Sequence, residues 1–240
     1  MKALTAQAAA EVRMTLERGE TLLVTLGIPA FLLVFFSLVP VLPTGSGKPV
    51  DFLAPGVLAL AVMSTAMVSL GIATGFERSY GVLKRLSATP LGKQSLMLAK
   101  ITSIVVVEII QVAVLAAVGL ALGWHPGPGV AEALLAALAG TVAFSGLGLS
   151  LAGALKPEMV LGVANGLYLV LLLAGGMLFP ISHLPGLLQT VAQYLPAAAL
   201  SQALFLSIGT SGGVPLDVWA VLAGWAVATP LLAAALFRWE

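Results

Sequence analysis

FERSYGVLKRLSATPLGKQSL, residues Phe76–Leu96, gathers four of the chain's eleven Lys and Arg residues into one short segment, and Lys100 follows closely. Long apolar runs flank it. The 240-residue chain is 60% hydrophobic and only 9% charged, whereas roughly a quarter of residues are charged in soluble domains. So little charge would leave large apolar patches facing water. The chain therefore reads as an all-α membrane protein, and Phe76–Leu96 as a connection between two of its spans.

Net charge is +1, so no global electrostatic pull toward nucleic acid is implied. The absence of cysteine removes disulfides, thiol chemistry and thiolate metal sites together. The first twenty residues, MKALTAQAAAEVRMTLERGE, do not read as a signal peptide, because Glu11, Arg13, Glu17 and Arg18 interrupt any apolar stretch.

A helix needs about twenty mainly apolar residues to cross the hydrocarbon core. Six stretches qualify: Thr21–Leu42, Phe52–Gly75, Ser95–Leu122, Ala131–Leu155, Met159–Phe179 and Val218–Phe237. Pro, Gly and charge separate them, as in GWHPGPG and KPE. Continuous runs, not alternating ones, exclude a β-barrel. With a cytoplasmic N-terminus and six crossings, Lys2, Arg13, Arg18, Arg78, Lys84, Arg85, Lys93, Lys100, Lys156 and Arg238 fall on the cytoplasmic side, and only Lys48 falls outside. Both termini are then inside.

Residues 1–20 place Leu4, Ala8, Val12 and Leu16 four apart, which predicts a helix lying in the membrane interface. Residues 181–213 are moderately apolar but broken by Pro185 and Pro196. Their run LPAAALSQALFLSIG is too short to cross unaided and predicts a re-entrant outer segment before the last span. A seventh span there would move Arg238 outside, against the charge bias.

Wound as one helix, Phe76–Ser87 sets Phe76, Tyr80, Val82, Leu83 and Leu86 on one arc. Glu77, Arg78, Lys84 and Arg85 fall opposite, with Gly81 among them. Pro90 and Gly92 end the segment before the third span. Positive charge beside a membrane anchors and orients, which accounts for Lys93 and Lys100. It does not account for two separated arcs with Glu77 among the cations.

ERSYGVLKRLSATPLGK resembles the connection between the second and third spans of type-2 ABC transporter permeases, which pairs Glu-Arg with a Gly, Leu-Lys-Arg-Leu and Ala-Thr-Pro-Leu. A second similarity follows the fifth span, where Gly175, Phe179, Pro180, Leu184, Pro185, Leu195 and Pro196 repeat that family's rhythm. The resemblance covers nearly the whole chain as one permease domain, residues 1–240. It implies an efflux permease of a bacterial or archaeal cytoplasmic membrane, with no ATPase site of its own. A separate ATP-binding subunit, holding ATP and Mg, would dock on the coupling loop at residues 76–93 through Glu77, Arg78, Gly81, Lys84 and Arg85. A second permease subunit, identical or not, would complete the pathway.

TGSGKP does not supply a nucleotide site, since a phosphate-binding loop needs Gly where Leu42 stands and Ser or Thr where Pro49 stands. Within the spans, Glu108 and Gln111 lie about one turn apart on the third. A charged residue at that depth costs about 2.5–3.5 kcal/mol on insertion scales, so Glu108 should face protein or water. Two readings stay open: a substrate-path or proton-responsive group, and a hydrogen-bonded tie between helices. Asn165 on the fifth span joins the substrate-path candidates, although buried amides often only join helices. Gly140, Ser145, Gly146, Gly148, Ser150 and Gly153 predict close helix packing at the fourth span. His125 and His183 show no metal-pair spacing, and no nucleophile–base or carboxylate pair suggests catalysis. Spans poor in aromatics lean toward an apolar or amphipathic cargo. The alternative function is a gradient-driven carrier using Glu108 as its proton site, disfavoured by the lack of a repeat between halves.

Overall fold

The computed structural model describes residues 2–17, 19–39, 47–89, 92–209 and 213–237. Arg18, Leu42, Pro90 and Arg238 of the sequence reading lie outside them, as do the side chains of Lys2, Leu4 and His183. Every regular element among the described residues is helical: α1 (Lys2–Glu17), α2 (Gly19–Leu38), α3 (Pro49–Met63), α4 (Leu70–Ser79), α5 (Val82–Ser87), α6 (Lys93–Ala121), α7 (Val130–Ala154), α8 (Pro157–Ala174), α9 (Gly186–Ala192), α10 (Pro196–Leu204) and α11 (Leu216–Leu236). A π-helical stretch, Ser64–Ser69, joins α3 to α4 without a break, and another, Phe205–Gly209, continues α10.

Among the described residues, five helices are long and apolar enough to span a bilayer: Pro49–Ser79, α6, α7, α8 and α11. A sixth is added if α9 and α10, bent by 80° to each other, count as one. Within α2 the apolar run is the shorter Leu23–Leu38. Prolines set many of the starts. Pro49, Pro157 and Pro196 open α3, α8 and α10 in the first turn, where no N–H is missed, and Asp51 and Glu158 add negative charge at the dipole's positive end.

The α3 helix occupies the centre. Leu53, Val57, Ala59, Leu60 and Met63 are all buried, on every side of the helix, as expected of a helix that is apolar all round. Beside it runs α7, where glycines let backbones approach. A Cβ at Gly148 would lie 2.5 Å from the Met67 carbonyl oxygen, and one at Gly146 2.6 Å from the Pro230 nitrogen of α11. These contacts bear out the close packing read from the fourth span. By contrast α2 and α8 lie at the rim, with Leu23, Ile28 and Phe31 of the first, and Leu169, Val170 and Leu173 of the second, exposed.

The helix α8 ends at Ala174, five residues short of the stretch expected from sequence. Gly176 turns the chain at φ +69°, a left-handed conformation that glycine adopts freely. The Ser201 hydroxyl donates to the Gly175 carbonyl and fixes α10 against the turn. Between Pro196 and Leu204 nearly every side chain of α10 is buried. In contrast, α9 exposes Leu187, Leu188 and Val191.

Candidate coupling site

The second long helix does not stop at the charged segment. Its last part, α4, carries Phe76, Glu77 and Arg78, and the chain then breaks at Gly81, which takes φ +71° and starts α5. Phe76–Ser87 is therefore a helix–kink–helix elbow, not the one helix the two arcs suggested. The arcs fail accordingly: Leu83 is fully buried and Leu86 partly, while Tyr80 is 72% exposed and Val82 38%. A left-handed residue reverses the helical phase, so positions before and after Gly81 no longer share a face.

Glu77 points inward. Its carboxylate lies 2.5 Å from the ammonium of Lys100 on α6, and that ammonium is also 3.2 Å from the carboxylate of Glu11 on α1. Lys100 is 1% exposed and Glu11 5%. Glu11 also accepts from the Gln7 amide at 2.9 Å. One buried cation thus binds carboxylates from two elements far apart in sequence. Such groups persist in a low-dielectric setting only when mutually paired.

Arg78 reaches a different neighbour. Its guanidinium donates at 2.6 Å to the Gly153 carbonyl and, through its other terminal nitrogen, to the Leu155 carbonyl. Those acceptors close α7, where the last carbonyls are unpaired and the dipole is negative. A third tie is apolar: Leu83 of α5 packs with Leu96 of α6 and Phe237 just beyond α11. Lys93 donates to the Phe237 carbonyl at 3.0 Å.

Arg78→Ala should destabilise the protein by about 1–3 kcal/mol, the range for orphaned partners of a charged hydrogen bond. Arg78→Lys should recover part of that loss, because one ammonium cannot span both carbonyls. Denaturant titration of the two variants checks this.

Lys84 and Arg85 are both exposed on the outward side of α5. A groove of about 400 Å³ runs along α4 from Val68 to Tyr80 and reaches Glu77.

The other candidates lie deeper in the bundle. Glu108 is 6% exposed and accepts from the Thr141 hydroxyl of α7, while its Oε1 has no partner among the described residues. Gln111 accepts from Thr65, in the π-helical stretch, at 3.1 Å and donates to the Thr25 carbonyl of α2 at 3.0 Å. Gln111 is thus a three-way tie. Asn165 is exposed on the rim and donates to the Leu161 carbonyl of its own helix, apart from Glu108. Sequence reasoning placed Lys100 as an interface anchor and passed over Glu11 and Thr141. The one available signal was Glu77, a carboxylate out of place among cations.

Apolar spans held together by buried polar ties, with a charged elbow at one end, make this an integral membrane protein of the transport-permease class. The chain belongs to the ABC-2 type transporter family, whose family model matches residues 4–208. It is 29% identical over 140 residues to a Bacillus subtilis (strain 168) protein described as "Putative transport permease YvfS". That match covers 57% of each protein, so the chain spans little more than half the length of this curated relative. The resemblance read from the elbow and from Gly175–Pro196 is thereby established.

Proposed function

We propose that the chain is the permease subunit of an ATP-driven exporter, and that its elbow takes the stroke of a separate ATP-binding cassette subunit. The observation that carries this reading is the set of inward ties. Glu77 joins α6 through Lys100, which in turn holds Glu11 of α1, Arg78 joins α7, and Leu83 joins the end of α11, so a push on the elbow reaches four elements at once. Lys84 and Arg85 remain on the outward side as the groups that meet the partner, with Gly81 as the hinge between. Glu77 and Arg78 transmit the stroke to the spans.

In this reading α2 is the first of six crossings, α1 lies in the cytoplasmic interface, and α9–α10 form an outer re-entrant hairpin. Both termini face the cytoplasm of a bacterial or archaeal cell. A second permease subunit, a copy or a paralogue, completes the path for an apolar or amphipathic cargo. ATP and Mg are held by the partner. Reconstitution in liposomes tests the reading: transport should need both the chain and its cognate ATPase subunit with ATP.

The unpartnered oxygen of Glu108 favours one rival, a carrier driven by a proton gradient. Transport by the chain alone under a pH gradient, lost in Glu108→Gln, would establish the rival and overturn the ATP-driven reading.

A further inference from the structure

The groove that ends at the elbow has a mixed lining. Val68, Ile72 and Ala73 give it an apolar floor, Phe76 and Tyr80 two aromatic rings, and Glu77 a carboxylate. These positions recur one and four apart, so they share one face of the helix. From Val68 to Tyr80 that face runs about 18 Å. Its volume of about 400 Å³ suits a small molecule, for which clefts are on the order of 300–1,000 Å³, mostly apolar with a few placed polar groups.

Charge decides what this cleft can hold. Glu77 and Glu11 share the single ammonium of Lys100, and no second cation among the described residues lies within ion-pair distance of either. Arg78, the next cation along the helix, is turned to the carbonyls that close α7. Two carboxylates on one ammonium leave one negative charge over. It comes to the surface at Glu77, whose side chain keeps 17% of its area exposed against 7% for Glu11. Oε2 of Glu77 meets Lys100, while Oε1 accepts no hydrogen bond among the described residues. The same end of the groove is the C-terminus of α4, the negative pole of a helix dipole. Beside the carboxylate, the Phe76 and Tyr80 rings stand 6.0 Å apart and tilted by 32°. Aromatic faces attract a cation within about 6 Å of the ring centroid. Carboxylate, dipole and rings all favour positive charge, and the same leftover charge repels anionic lipid headgroups.

We infer that the groove binds an amphiphilic organic cation, with its charged centre at Glu77 beside the two rings and its apolar part along Val68, Ile72 and Ala73. The inference rests on the permease reading and narrows its cargo from apolar or amphipathic to cationic. A bound cation cancels the charge that the buried cluster leaves over, which ties occupancy of the groove to the elbow's own ion pair.

Direct binding tests the inference on the full chain, without an ATPase subunit or ATP. The probes are radiolabelled tetraphenylphosphonium and tetraphenylborate, ions of one shape and opposite charge, each equilibrated separately with the purified chain in detergent. The cation should bind saturably, and the borate should show only the linear uptake of protein-free micelles. Tyr80→Ala, at an exposed position, should weaken cation binding about threefold to tenfold, the worth of one cation–π contact. Ala73→Leu, which fills the apolar floor, should abolish the saturable component. Glu11→Gln, Lys100→Met and Glu77→Gln together remove the leftover charge without orphaning a partner, and should abolish it as well. No saturable uptake of the cation, equal uptake of the borate, or binding that Tyr80→Ala and the triple substitution both leave unchanged would overturn the site. Nothing is transported in this assay, so such a failure leaves the ATP-driven reading to the liposome reconstitution.

Discussion

Lys100→Met is expected to destabilise the protein by about 3–5 kcal/mol, the cost of breaking a buried ion pair by removing one partner. The substitution keeps the length and apolar stem of the side chain, so packing changes little. It leaves Glu11 and Glu77, 5% exposed and half-buried respectively, facing each other without the cation between them. The diagnostic companion is the triple variant Glu11→Gln, Lys100→Met, Glu77→Gln. Because buried ion clusters can be replaced by neutral groups at little cost, it should recover most of the lost stability. Thermal or denaturant unfolding in detergent measures both. A triple variant no better than the single one would show that the three residues do not act as one unit.

The second large effect falls on function. Lys84→Glu with Arg85→Glu is expected to cut ATP-driven transport by about tenfold or more in liposomes holding the cognate ATPase, since like charges set across a contact cost several kcal/mol. Both side chains are exposed, and denaturant unfolding of the variant in detergent checks that it is folded. Normal transport by this folded variant would remove α5 from the drive.

Composition and periodicity located the spans because burial in lipid leaves a long, continuous apolar signature. The ends of α6, α7 and α11 fall within two residues of the stretches expected from sequence. Capping chemistry decided the remainder. At Gly176 a left-handed turn stops α8 early, and from hydropathy alone nothing distinguishes Gly175–Phe179 from more helix.

The elbow was legible as a place and not as a shape. Two arcs over Phe76–Ser87 are what any helix of that composition would show, and the kink at Gly81 depends on one residue's backbone. Its partners were still less visible. Lys100 meets Glu77 at a separation of 23 residues and Glu11 at 89, and no local pattern announces either. Glu108, singled out for its depth and expected to face protein or water, is buried against α7, but Thr141, 33 residues on, carried no mark of its own.

One consequence concerns evolutionary insertions and deletions. Consecutive residues on a helix project about 100° apart, which is why Glu77 can meet α6 while Arg78 meets the end of α7. Adding one residue between the last π-helical turn and Glu77 would spin both side chains away from their acceptors and lengthen the shaft by about 1.5 Å. Two whole turns would restore the azimuth but overshoot by roughly 10 Å. The stretch from Leu70 to Arg78 is thus gauged to the residue, and drift in its length would be filtered out before any change in its lettering.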